Sequence, residues 1–202
     1  MQNTIIQTEF LCSCYYHAAR EAASAVFEHE LSESLQNSIT ALILSQCALE
    51  SYINFMILSK KRHREMIEVL DDATERTEEK ELMNVSIRDK WIYFPKIENN
   101  SDFKHEDEPF IHFSELINHR NSFLHLHSVQ LDLENNLPHD VDSLEELIDV
   151  LKAEEWLSAR DLERIVRYGI AGPLIVQNMI EHLHQMLETE PPTFLNGEKI
   201  VA

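Results

Sequence analysis

Glycine and proline are scarce in this chain, at 3 and 6 of 202 residues. Turn-rich β architectures and Gly-rich phosphate loops draw on both, and Gly169, Gly172 and Gly197 supply material for neither. Cysteine is equally rare, at 3. Cys12 and Cys14 stand two apart, which on a helix points them to different faces, so reduced, mostly buried thiols in a cytoplasmic protein are the simplest reading. No ligand pairs at zinc-finger spacing appear. Basic residues are also short: Lys+Arg number 17 against Asp+Glu 36, a net charge of −19. Such a field repels polyanions and counts against a broad nucleic-acid-binding surface. Long apolar runs are missing too. Ile39-Thr40-Ala41-Leu42-Ile43-Leu44 stops at Ser45, and Met1-Gln2-Asn3-Thr4 opens no basic-then-apolar leader, so neither a membrane span nor a signal peptide is expected.

What remains is rich in Glu, Leu and Ala with helical spacing, which implies an all-α fold, and the length suits one domain. The periodicity predicts a helix over about 8–30, with Phe10, Cys14, Ala18, Ala22 and Ala25 along one side. A second runs over about 38–64 with the stripe Ile39, Leu42, Ile43, Gln46, Leu49, Glu50, Ile53, Ile57. Residues 65–84 read as a charged helix, and Asp89 to Pro95 as an aromatic segment before a break. Residues 96–109 read as a loop, 110–127 as a further helix, and 134–138 as a second loop. Helical pattern over about 143–188 divides around Trp156-Leu157-Ser158, with a kink expected at Gly172-Pro173. The single domain covers 1–190, and 191–202 form a flexible tail.

Arg120-Asn121-Ser122-Phe123-Leu124-His125 carries the most chemistry. Asn121 and His125 are four apart, so on a helix they stack on one face, and Arg120 reaches round from beneath. Guanidinium binds phosphate oxygens bidentately, and histidine moves protons near neutral pH. Upstream, Glu50 stands where the stripe asks for a hydrophobe, with Asn54 one turn on. A carboxylate there needs a cation, and Arg120 is the candidate. The bland alternative is a buried Glu50–Arg120 pair with His125 as a satisfied core histidine.

Other clusters read more simply. Lys60-Lys61-Arg62-His63-Arg64 suits the C-terminal end of a helix dipole better than an RNA patch. Arg160, Arg164 and Arg167 form a basic stripe that either pairs with carboxylates or meets RNA or an acidic partner. Among 11 histidines, Glu181-His182-Leu183-His184 contains one Glu-x-x-His unit without a second copy, and His105 and His112 lie in or beside a loop, so no metal site and no cofactor is expected.

Two segments resemble the HEPN superfamily, helical proteins named for their occurrence in higher eukaryotes and prokaryotes and for nucleotide binding. Arg120-Asn121-Ser122-Phe123-Leu124-His125 is similar to its Arg–polar–His hallmark, and Ala48-Leu49-Glu50-Ser51-Tyr52-Ile53-Asn54 to its Ala-x-Glu-x-x-x-Asn pattern. Lys90-Trp91 and Pro109-Phe110 fit the order between them, and the resemblance covers about residues 8–188. It implies an up-and-down bundle of four to five core helices that dimerises through the motif helices. Many members are metal-independent endoribonucleases in toxin–antitoxin, phage-defence or RNA-processing systems; others serve as binding modules. Arg120, Asn121 and His125 would then be catalytic, with Glu50 and Asn54 in support. A homodimer, an RNA substrate and an antitoxin or other protein partner are the implied associations. His127 stands where the nucleotidyltransferase-paired toxins carry Tyr, which departs from that mode of control.

Overall fold

The computed structural model describes residues 2–27, 31–60, 85–101, 103–104, 106–125 and 159–196. Five α-helices make up most of them: α1 (Gln2–Ser24), α2 (Leu31–Ser59), α3 (Ile87–Asn99), α4 (Glu108–His125) and α5 (Ala159–Met186). The chain is all-α among the described residues. The expected charged helix 65–84 and the loop 134–138 lie outside them, as do Arg62 and Arg64.

Several boundaries differ from the sequence expectation for identifiable reasons. Helix α1 starts at Gln2 and closes in a 3-10 turn, Ala25–Phe27. Its buried face is Cys12, Tyr16, Ala19 and Ala22, whereas Phe10 and Cys14 are exposed. Bulk at Tyr16 chose the face that the small residues left ambiguous. The stripe on α2 is closer to expectation, with Leu42, Leu49, Ile53 and Ile57 wholly buried. The helix portion Glu33–Ser59 is long and apolar enough to cross a membrane by length and composition, with hydropathy 1.4, and 56% of its 18-residue apolar window is buried inside the protein. Ser45 interrupts the apolar run without ending the helix, because it is wholly buried within the apolar face.

Helix α3 shows why Pro95 is no break. Ser86 caps its start, accepting from the Asp89 backbone N–H at 3.1 Å while its hydroxyl donates to the Asp89 carboxylate at 2.7 Å. Proline removes one rung of the ladder, and the helix still continues to Asn99. Asn100 then ends it in the left-handed region at φ 60°, its N–H reaching the Lys96 carbonyl at 3.0 Å. Helix α5 likewise runs unbroken through Pro173. It ends on a paired motif: Glu188 at φ 54° donates to the Gln185 carbonyl, and Thr189 to that of His184. The tail expected from 191 onward is ordered at first, since Thr193–Asn196 form a 3-10 turn with Phe194 and Leu195 buried.

The chain gathers into two compact units interleaved in sequence. The first comprises Met1–Cys14, Cys47–Ile111 and Gln177–Ala202; the second comprises Tyr15–Gln46 and His112–Val176. In the first, aromatic rings meet around Tyr52, with Trp91, His184 and Phe194 all within 6.5 Å between centroids. Trp91 continues the cluster to Phe103, and Phe103 to Phe110 and His182. In the second, small residues let α2 and α5 approach closely. A Cβ placed on Gly169 would lie 2.8 Å from the Ser38 Cα, and one on Gly172 would lie 3.0 Å from the Ser45 Cβ. Ser38, Ala41 and Ser45 are each wholly buried in that contact.

Candidate functional site

Helix α4 builds the candidate site from its own periodicity. Phe110, Phe113, Leu116 and Ile117 are buried and fix which side faces inward. Arg120, one turn beyond Leu116 and Ile117, inherits that inward direction. Its Nε is buried and makes no hydrogen bond, while Nη1 donates to the Asn121 side-chain carbonyl at 3.1 Å. Asn121 itself is exposed. The guanidinium thus starts inside and turns out to the surface along its neighbour. His125 ends the helix; its side chain lies outside the described atoms.

Arg120, Asn121 and His125 belong to the second unit, and Glu50 and Asn54 to the first. Glu50 and Asn54 are both half-buried on α2, and the Asn54 carbonyl oxygen is buried without a hydrogen bond. Within that unit the negative charge of Glu50 acts on a buried cation of α3. Lys90 on α3 is wholly buried, and its Nζ makes no hydrogen bond. Burial pulls its pKa down from the ordinary lysine value, and the charge of Glu50 partly restores it. Helical spacing along α2 alone does not bring Lys90 under the charge of Glu50, because the two residues lie on different helices.

A second set of polar groups lies just before the motif. Glu115 and His119 are four apart on α4, and Tyr168 of α5 reaches both. Its hydroxyl donates to the Glu115 carboxylate, and its ring lies 4.5 Å from the His119 ring at 37°. Burial, then the bond and the negative charge of Glu115, push the Tyr168 hydroxyl up to about 12. The phenol therefore stays protonated and acts as a donor. Arg167, expected in a basic stripe, pairs with Glu163 at 3.2 Å on its own helix. The i,i+4 spacing in the sequence allows that pair; nothing in it links Tyr168 to Glu115.

The remaining polar core lies in the first unit. The Tyr52 hydroxyl bonds to His184 Nε2, and His184 Nδ1 to the Thr189 hydroxyl at 2.7 Å. Burial, aided by the positive charge of Lys60, lowers the pKa of His184, so the imidazole is neutral. Both its nitrogens are occupied by structural partners, and Glu181-His182-Leu183-His184 is committed elsewhere: His182 stands 3.6 Å from Asp107. Among the described residues no group of three or more His, Cys, Asp or Glu could hold a metal ion. No family model, curated protein or solved structure matches this chain.

Proposed function

We propose that the protein is a metal-independent endoribonuclease of HEPN type. The observation that supports it is the Arg120–Asn121 pairing, an inward-rooted guanidinium brought to the surface of α4 beside an exposed amide. Asn121 and His125 are four apart on α4 and so share a helical face, which suits phosphate binding by Arg120 together with proton transfer by an imidazole. In the reaction the ribose 2′-oxygen attacks its own phosphorus and loses its proton to a base. The 5′-oxygen leaves and takes a proton from an acid, and a 2′,3′-cyclic phosphate remains. Arg120 stabilises the added negative charge, Asn121 orients phosphate or ring, and His125 transfers the proton. One chain offers one such histidine in the motif. A C2 homodimer joined along the motif helices supplies base and acid together, and a cytoplasmic setting with RNA and an antitoxin-like partner follows from the same reading.

The net charge of −19 favours a second reading, a catalytically inactive HEPN module that binds a nucleotide or a protein partner. One experiment separates them. Wild type and His125→Ala are incubated with labelled single-stranded RNA in EDTA and the product ends are mapped. The ribonuclease reading expects cyclic-phosphate ends from wild type alone, with activity down by at least about a hundredfold in the variant. Cleavage that survives His125→Ala sinks it. Absence of cleavage by a folded wild type moves the conclusion to the binding module.

A further inference from the structure

The α4–α5 face beside the motif sets two arginines, Arg164 and Arg167, beside the aromatic pair Tyr168–His119, with Glu115 and Glu163 among them. Arg164 and Tyr168 are one turn apart on α5 and so lie on one side of it. Tyr168 anchors that side against α4 through Glu115 and His119. This places the Arg164–Tyr168 turn next to the α4 turn that leads directly into Arg120 and Asn121. The sequence shows two separate basic features; the fold joins the helices that carry them, within the second unit, through Tyr168.

Tyr168 has the properties of a preorganised stacking surface. It is half-buried, so part of the ring remains at the surface, and its hydroxyl is fixed by Glu115 while His119 braces the ring at 4.5 Å. An aromatic held this way loses little entropy when a base stacks on it. Arg167 is 60% exposed, and its i,i+4 pair with Glu163 is a weak, solvent-screened one that a phosphate displaces easily. Alternating ring and guanidinium groups along a face is how single strands of RNA are held without reading every base.

We infer that the Tyr168–His119 pair is a base-stacking platform and that Arg164 and Arg167 take the flanking phosphates, so that single-stranded RNA runs along α5 to the Arg120 turn. The inference rests on the ribonuclease reading and adds the route by which substrate arrives. Tyr168 is on this account a specificity and positioning residue, outside the group that performs proton transfer.

The test is binding of a fluorescent, fully 2′-O-methyl oligouridylate, which lacks the attacking hydroxyl, followed by anisotropy, with cleavage of unmodified RNA measured in parallel. Tyr168→Leu weakens binding about fivefold or more and raises KM while leaving kcat near wild type. Tyr168→Phe keeps the ring, loses only the bond to Glu115 and binds nearly as wild type, which separates stacking from folding. Arg164→Gln with Arg167→Gln flattens the dependence of log Kd on log salt by roughly one unit or more, about 0.7 per phosphate lost. Unchanged Kd and KM in folded Tyr168→Leu, with wild type still cleaving RNA, overturns the platform and leaves the ribonuclease reading standing. A wild type that neither binds nor cleaves RNA removes both.

Discussion

In the first unit Tyr52 and Trp91 are large, wholly enclosed side chains ringed by Phe194, Phe103 and His184. In the second, Gly169 and Gly172 bring α5 against Ser38, Ala41 and Ser45 with no room for a methyl group. One unit gains its contact area from big rings on separate helices; the other gains it by removing side chains so that backbones approach. Dispersion depends on close contact whichever way it is reached, so both are well packed. They are vulnerable to opposite substitutions. The first should fail when a side chain is cut down, and the second when one is added.

Trp91→Ala gives the largest expected effect. It removes a wholly buried indole between Tyr52 and Phe103, and large-to-small changes of this kind cost about 4 kcal/mol. Urea denaturation measures it, and a loss below about 2 kcal/mol would mean that the ring cluster collapses to fill the space. Gly169→Ala is the mirror test. Alanine is intrinsically the better helix former by about 1 kcal/mol, yet its methyl would meet the Ser38 backbone at 2.8 Å. Backbone cannot rotate away, so a net loss of about 2 kcal/mol is expected. Gly172→Ala costs less, about 1 kcal/mol, since the obstacle there is the Ser45 side chain. Adding Ser45→Ala should recover most of that loss, because the Ser45 hydroxyl is buried without a hydrogen bond. No side-chain change at Ser38 should rescue Gly169→Ala in the same way. If both glycines prove equally easy to rescue, the close backbone approach is not what holds the second unit together.

The same contrast explains what was legible in the sequence. Helix existence along α2, α4 and α5 followed from periodicity, and the Arg120–Asn121 juxtaposition from adjacency on one helix. Pairs that require two helices did not. Lys90 reads as an ordinary charged residue on a short aromatic segment, and only the fold encloses it near Glu50. Tyr168 sits between arginines like any helical tyrosine until α4 supplies Glu115. Helix ends were misjudged where the local signal was real and tertiary packing outweighed it. Pro95 deletes one backbone donor, yet burial of Trp91 and Phe94 around it keeps the helix going. Phe194 and Leu195 follow Pro191 and Pro192 and looked like tail, but a buried phenylalanine against Tyr52 fastens them.

The smallest expected effect concerns the polar seam in the aromatic unit, and it appears only as a pH dependence. His184 is 7% exposed, bound by Tyr52 on one nitrogen and Thr189 on the other. Burial and the nearby charge of Lys60 hold its pKa below the ordinary value. The unfolded chain takes up this proton at about pH 6.5, and the folded chain does so only at lower pH. Between those values the unfolded state binds more protons, so stability present above about pH 6.5 falls as pH falls. Protonation would also make both ring nitrogens donors, forcing the buried Tyr52 hydroxyl to turn its own hydrogen away from the ring. The chain carries 11 histidines, so the informative quantity is a difference. Urea denaturation of wild type and His184→Gln at pH 8 and at pH 5.5 should show the wild type losing more stability on acidification than the variant. Equal losses would mean that the seam tolerates charge, and that the aromatic unit owes its strength to ring area alone.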